Sequence, residues 1–409
     1  MRTAQSIGIV AALLLLISCA ALADTYVVNA EGTGDFVTIQ EAVDAADDGD
    51  IIELANGAYR GDGNRDVNVP SENITIRSQS GDPEVCYIDC EGSARAEHRG
   101  FTFSGSPGRG DATLWGVGVF NGYVTGDGGA GILIAGASPT LEICAVAVCV
   151  ADGALLRGGG LLVTDGASPT VIDCFFFSNT AGYGGGIAVY QSAGYYEGCQ
   201  ITDNVATHTA GGVYAYVSGS ATFMDCLILS NDAPRAGGAY SGGPGSVEFT
   251  SCSISRNGAT STHSGGIWLQ TGTLNNCTLI DNEAATVGGG VYCGFGTGLL
   301  QNCLIAFTGS GDGVAADEAA NAPTLTCCNV YGNQGTDYGA FVDDQTGIDG
   351  TISEDPRLCD LQGEDYTLDY DSPCLPGGNG CGVQIGAYGQ GCDTPVEASS
   401  WGRVKALYR

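Results

Sequence analysis

Positive charge is what this chain has least of: 14 lysines and arginines stand against 46 aspartates and glutamates, a formal net charge of −32 at pH 7. Lys405 is the single lysine. Nucleic acid and anionic membrane surfaces, both of which need cationic partners, are excluded by this balance. Histidine is equally scarce, three residues at 98, 208 and 263, too scattered for a zinc site. Glycine clusters are plentiful, but a phosphate-binding loop needs a lysine and a following helix, and the sequence offers neither beside them. Beyond residue 23 no apolar run is long enough to span a bilayer.

What is present is a repeat. Cys144, Cys174, Cys199, Cys226, Cys252, Cys277, Cys303 and Cys328 recur every 25 to 30 residues and carry a common register around them. An apolar residue stands three before each cysteine (Phe223, Phe249, Leu274) and another two after it (Ile228, Ile254, Leu279). Five after it stand Asn179, Asn204, Asn231, Asn257, Asn282 and Asn333, with Cys149 and Thr308 as departures. Seven after it every residue is small. A β-rich unit of this length is one coil of a parallel β-solenoid. The reading is therefore an all-β chain, a single right-handed parallel β-helix of ten to twelve coils with a short N-terminal capping helix, grown by adding coils to one core. The cysteines and flanking apolar residues point inward, and the asparagines line one edge. There the asparagine adopts the left-handed backbone of a corner and bonds to the coils above and below. The odd spacing before the cysteine predicts a bulge or corner.

In chain order, residues 1–23 have the layout of a secretory signal peptide: Arg2, an apolar run from Ile7 to Ile17, then Ala21-Leu22-Ala23. Leu16-Ile17-Ser18-Cys19 also fits a lipoprotein box, and only if Cys19 is lipidated is a membrane a partner. Residues 24–392 form the β-helix, divided into a cap and first coils (24–100), regular coils (101–335) and a closing, looser coil with loops (336–392). Thr38-Ile39-Gln40-Glu41 is a capping box for a short helix over the open first coil. Asp62, Asn64 and Asp66 imitate part of a calcium loop without its glycine and distal glutamate, so they read as a polar turn, with calcium the one cofactor left open. Asn121 falls one residue early and predicts an irregular coil. The glycines before Val213, Ala239 and Ile267 let coils press together at a corner. Residues 393–409 form a basic tail with Trp401, Arg403 and Lys405, a docked segment or a sorting signal.

The stretch GTGDFVTIQEAVDAADDGDIIELANGAYRG, the Cys, Asn and GGG repeat, and the ending EDYTLDYDSPC together resemble bacterial secreted right-handed parallel β-helix proteins of the pectin-lyase-like superfamily. That resemblance implies a fold and leaves the activity open, since the superfamily holds lyases, hydrolases, esterases and proteins without an assigned reaction. The polygalacturonase set NTD, DD, GHG and RIK is absent, as are the methylesterase blocks GxVDFIFG and LGRPW. Asp173 and Asp225 share the position before the cysteine but lie two coils apart, with no third acid.

Two function classes follow. The first is a secreted or cell-surface, non-catalytic β-helix that binds a polysaccharide or cell-surface glycan. Its candidate site is an outward aromatic stripe, Tyr214, Tyr240, Trp268 and Tyr292 on consecutive coils with Tyr190 and Tyr216 beside it, read as exposed rings suited to sugar faces. The second is a polysaccharide lyase or glycoside hydrolase acting on uronate polymers, with Arg235 as base and His263 and Asp232 close by. Of the 18 cysteines, Cys19 leaves with the signal peptide and an odd number remains, so at least one thiol is free or pairs between chains. The stacked series reads as buried thiols. Cys374 with Cys381 is the favoured disulfide, then Cys86 with Cys90.

Overall fold

The computed structural model describes residues 23–70, 73–105, 111–261 and 263–392. The signal-peptide segment, Cys19 and the tail 393–409 lie outside the described residues.

One coil shows how the sequence turns into structure. Strands Ser220–Met224, Leu227–Leu229, Asp232–Ala233 and Ala239–Gly242 form its four sides. The next coil stacks on it in parallel, with Phe223 over Phe249, Ile228 over Ile254, Ala233 over Ala259 and Tyr240 over Trp268. Repetition builds four parallel sheets of 12, 11, 7 and 10 strands, about twelve turns of solenoid. Three corners are made by single residues in the left-handed region, Asp225 (φ 51°), Ser230 (φ 56°) and Ala236 (φ 52°). The first of these is the corner expected before the cysteine.

The asparagines do line one edge, but the left-handed residue is the one before each of them, Ser230 rather than Asn231. Asparagine is required here for its amide alone. Asn231 Nδ2 donates to Ile201 O at 2.8 Å and to Asn257 Oδ1 at 3.0 Å, while its Oδ1 accepts from Asn204 N at 2.9 Å and Asn204 Nδ2 at 3.0 Å. Four bonds satisfy a fully buried amide, and the ladder continues from Asn179 to Asn282. Asn121 falls one position early because it takes the left-handed slot itself (φ 59°). Its coil is regular, with Gly118–Phe120 paired to both neighbours, so no irregularity results.

Inside, Tyr196, Phe223 and Phe249 stack at 4.5 and 4.9 Å between ring centroids. The cysteine series forms a second internal column of buried free thiols. Cys226 Sγ faces the carbonyls of Met224 and Tyr196 at 3.3 and 3.6 Å, and burial pushes its pKa well above that of an ordinary thiol. The glycine corner is a close approach: a Cβ on Gly238 would lie 2.5 Å from Gly266 O, closer than side chains sit to backbone, so no larger residue fits.

At the start, helix Ile39–Ala45 carries the full capping box and buries Ile39, Ala42 and Val43. It packs on strands Ile51–Leu54 and Val67–Val69. Asp62, Asn64 and Asp66 go to separate partners: Arg65, the backbone N of Ile39, and His98.

The C-terminal part departs from the expected closing coil. Residues 336–352 continue the solenoid through isolated bridges, Val314 to Tyr338 and Asn329 to Ile352. From there the chain turns back and runs as a strap over the outside of the 11-stranded sheet. Leu368, Cys374 and Ile385 bury Ile280, Leu304 and Ala306 beneath it, Arg256 pairs with Glu364, and Ala387 N donates to Thr278 Oγ1 at 2.9 Å. The strap explains why Thr278–Ile280 and Leu304–Ala306 are buried on both faces. It also corrects the disulfides, which are Cys327–Cys381 and Cys359–Cys392. Cys374 points instead into the seam under the strap, where Asn329 Nδ2 donates to its sulfur at 3.2 Å. Cys327 occupies a left-handed corner (φ 52°) and turns outward to meet Cys381, while Cys328 beside it points in. Cys86 and Cys90 are buried free thiols rather than a pair.

Candidate functional site

The outer surface of the 10-stranded sheet carries the aromatic series. The residue between two inward positions must point out, and the register Ala188, Tyr214, Tyr240, Trp268, Tyr292 runs unbroken through consecutive strands. Ala188, Tyr214 and Tyr240 form an apolar cluster with Leu162, Ala210 and Ala236 outside the main core, against which Tyr183, Tyr190, Tyr216 and Trp268 pack.

The rings are less open than the sequence implies. Tyr214 and Tyr240 stack at 5.0 Å with planes 10° apart, and Trp268 meets Tyr240 and Tyr292 edge to face at 5.7 and 5.5 Å. Coils spaced at strand distance press each ring against the next, so Tyr214, Tyr240 and Tyr292 are only 9%, 8% and 6% exposed. A flat platform of exposed ring faces is therefore not what the stripe offers. Half-buried Trp268, Tyr190 and Tyr216 supply the accessible apolar surface, and the buried rings turn only their margins outward. Trp268 Nε1 is buried within the protein without a hydrogen-bond acceptor. Tyr240 OH donates to Gln270 Oε1 at 2.8 Å.

A rim of arginine and histidine side chains lies along the same edge. Arg157 lies over Tyr190, its guanidinium carbon 3.9 Å from the ring centroid, and 5.6 Å from Tyr183. His208 packs on Tyr183 at 5.4 Å. His263 packs on Tyr292 at 4.4 Å. Arg235 and His263 are neighbours, as the one-per-coil spacing implies: Ala236 N donates to His263 O at 3.1 Å. Burial, then the Arg235 charge, lower the His263 pKa, with Asp317 opposing them. Both effects favour the neutral imidazole. Asp232 does not join them. It is exposed on strand Asp232–Ala233 and forms no ion pair with Arg235. The carboxylate at this end is Asp317, which accepts from Phe295 N at 3.0 Å and from Asn321 Nδ2 at 2.7 Å. The repeat concealed it, because Asp317 directly follows strand Val314–Ala316 and the aligned residue of the preceding coil is Gly294, which has no side chain.

Asp173 and Asp225 do not make a catalytic pair either. The carboxylate felt by Asp225 is Glu197, in the coil between them; burial first and then Glu197 raise the Asp225 pKa. Tyr195 OH donates to Glu197 Oε2 at 2.9 Å. Among the described residues no cluster of three or more His, Cys, Asp or Glu side chains could hold a metal.

Comparison with known proteins agrees with this architecture. Residues 91–269 and 185–352 match the family described as right handed beta helix region. The chain belongs to that family. Among solved structures it resembles a pectate lyase, with a TM-score of 0.51 and 13% identity over 90% of this chain and 96% of that one. A pectin methylesterase from carrot aligns with a TM-score of 0.30 and 16% identity over 87% and 93% of the two chains. An alginate lyase aligns with a TM-score of 0.39 and 13% identity, over 81% of this chain and 51% of its own. At these identities the likeness is one of fold. No curated protein sequence matches the chain significantly.

Proposed function

We propose that this protein is an exported β-helix that binds polysaccharide along the outer face of its 10-stranded sheet, without cleaving it. One observation carries the reading: a contiguous aromatic cluster lies on the outer face of the 10-stranded sheet, apart from the main core. Trp268, Tyr190 and Tyr216 stay partly exposed, whereas the strap buries the part of the 11-stranded sheet beneath it. Amphipathic rings at a rigid surface suit sugars, offering apolar contact with hydrogen bonds at the margins. Export rests on the signal-peptide layout of residues 1–23.

The test is retention on a panel of immobilised polysaccharides. Tyr216→Ala combined with Trp268→Ala removes two half-exposed rings and leaves the stacked Tyr214 and Tyr240 pair in place. The folded double variant should lose retention, whereas unchanged retention on every polysaccharide would dispose of the reading.

One observation favours a second reading, elimination chemistry on a uronate polymer. His263 is partly buried and beside Arg235, both of which favour a neutral imidazole, so it could take a proton from a sugar carbon, the electrons expelling the glycosidic oxygen from the next carbon, while the guanidinium holds the adjoining carboxylate. Its test is absorbance of the unsaturated product after incubation with uronate polymers, with His263→Ala as control.

A further inference from the structure

Cysteine falls into two sets in this chain. Among the described residues thirteen cysteines are free thiols, and all of them are buried. The four that pair, Cys327, Cys381, Cys359 and Cys392, are half-buried or exposed. Cys327 stands on the solenoid and Cys381 on the strap, residues 353–392, so their bond ties one to the other across 54 residues of chain. Cys359 and Cys392 both belong to the strap, and their bond closes it on itself. The strap's remaining cysteine, Cys374, is fully buried in the seam beneath it.

That seam is a layer of its own. Ile280, Leu304 and Ala306 of the sheet with Leu368, Cys374 and Ile385 of the strap form a cluster separate from the solenoid core. The strap's two strands, Leu358–Asp360 and Asp365–Leu368, pair with each other and not with the solenoid. What crosses the seam is an ion pair, Arg256 with Glu364, and single hydrogen bonds such as Gly386 N to Asn302 O at 2.7 Å and Asn276 Nδ2 to Gln384 O at 3.2 Å. The strap can therefore leave without breaking a ladder of the solenoid.

We propose that the strap is a redox-latched cover: the Cys327–Cys381 bond holds it closed over the 11-stranded sheet, and when a dithiol reductant cleaves that bond the strap opens as a unit while the solenoid stays folded. A thiolate of the reductant attacks one sulfur of the bond, and the other sulfur leaves as a thiolate that takes up a proton. The reductant's second thiol then gives up its proton and displaces the first protein sulfur from the mixed disulfide. Two cysteine thiols and one reductant disulfide result, two electrons having passed to the protein. Both sulfurs are within reach of such a reagent, since Cys327 and Cys381 are half-buried. Cutting a crosslink that closes so long a loop shifts an opening equilibrium on the order of a hundredfold, and a peripheral unit with its own small seam opens before the core does. A chain made in a reducing compartment thus carries the strap unlatched, and oxidation sets it. This inference concerns a different sheet from the carbohydrate-binding reading and does not depend on it.

Cys374 is the reporter. The full chain is reduced with dithiothreitol, freed of it without exposure to air and pulsed with iodoacetamide, and labelling of Cys374, Cys226 and Cys252 is read peptide by peptide in a mass spectrometer. Cys374 should react on the order of a hundredfold faster than in the oxidised protein, while Cys226 and Cys252, inside the solenoid, stay unlabelled. Cys327→Ser combined with Cys381→Ser should give the same gain without reductant, and Cys359→Ser combined with Cys392→Ser should leave Cys374 protected. Should the first pair of substitutions fail to fold, labelled Cys226 reveals it and the reduced wild-type chain decides. Cys374 as protected in the reduced chain as in the oxidised one overturns the proposal. So does labelling of Cys226 and Cys252 together with Cys374 in that chain, which would mean that the whole molecule opens, or an equal gain from the Cys359 and Cys392 pair, which would remove the latch from Cys327–Cys381.

Discussion

Asn231 gives its side-chain amide to Asn257 Oδ1 at 3.0 Å and takes the amide of Asn204 on its own Oδ1 at 3.0 Å, so each coil is hydrogen-bonded to the next by side chains as well as backbone. Nothing but a carboxamide can donate and accept in both directions at once.

Asn231→Ala should therefore cost about 2 kcal/mol, because it leaves Asn204 N buried and unpaired and takes a donor away from Ile201 O and Asn257 Oδ1. Asn231→Asp should cost more, since it keeps the acceptor but aims a buried charge at Ile201 O and Asn257 Oδ1. Urea unfolding midpoints check both; an aspartate variant as stable as wild type would contradict the ladder.

The glycine corner makes a sharper contrast. Gly238→Ala would place its methyl 2.5 Å from Gly266 O and 2.9 Å from Asn257 Nδ2, and backbone held in a ladder on both sides cannot retreat. The expected loss is about 3 kcal/mol. Gly377→Ala, with nothing within 4 Å of the added carbon, should be nearly neutral under the same melt.

How much of this was legible in the sequence depends on whether a residue belongs to the repeat. The cysteine and asparagine series, the corner before the cysteine, the helix cap and the neighbourhood of Arg235 and His263 follow from spacing alone, because stacking puts like positions on like. Residues outside the register did not yield to it. Cys381 finds Cys327 through a loop whose path no period encodes. The strap over Ile280 and Leu304 is equally invisible. Burial of the aromatic stripe was missed for a different reason: period-2 alternation tells which side of a sheet a ring takes, but not that rings stacked at strand spacing hide one another's faces.

The buried thiols set an alkaline limit. Burial raises Cys86, Cys149 and Cys293 to about 12 from an ordinary value of 9.0. These groups stay protonated in the fold while the unfolded chain releases its protons, so stability is unaffected below pH 8 and falls as pH rises from about 9 toward 12. Each thiol contributes about 1.4 kcal/mol per pH unit in that window. Urea midpoints from pH 8 to 11 should fall steeply under reducing conditions, and Cys149→Ala should lessen the slope. A flat profile would show that these thiols are not buried.

His263 reports on its neighbour. With burial and Arg235 both holding its pKa below 6.5, Arg235→Ala should move the imidazole titration upward, as followed by proton NMR of the ring. For the same reason the unfolded state binds this proton more readily than the fold, so His263 costs stability as pH falls through 6.5. An unmoved titration would separate the two residues.

The central claim is that a polysaccharide lies along the outer face of the 10-stranded sheet, and a crystal structure of the full chain with a bound oligosaccharide tests it most directly. The saccharide should lie against Tyr190, Tyr216 and Trp268. A saccharide bound on another sheet, touching none of these rings, would contradict it.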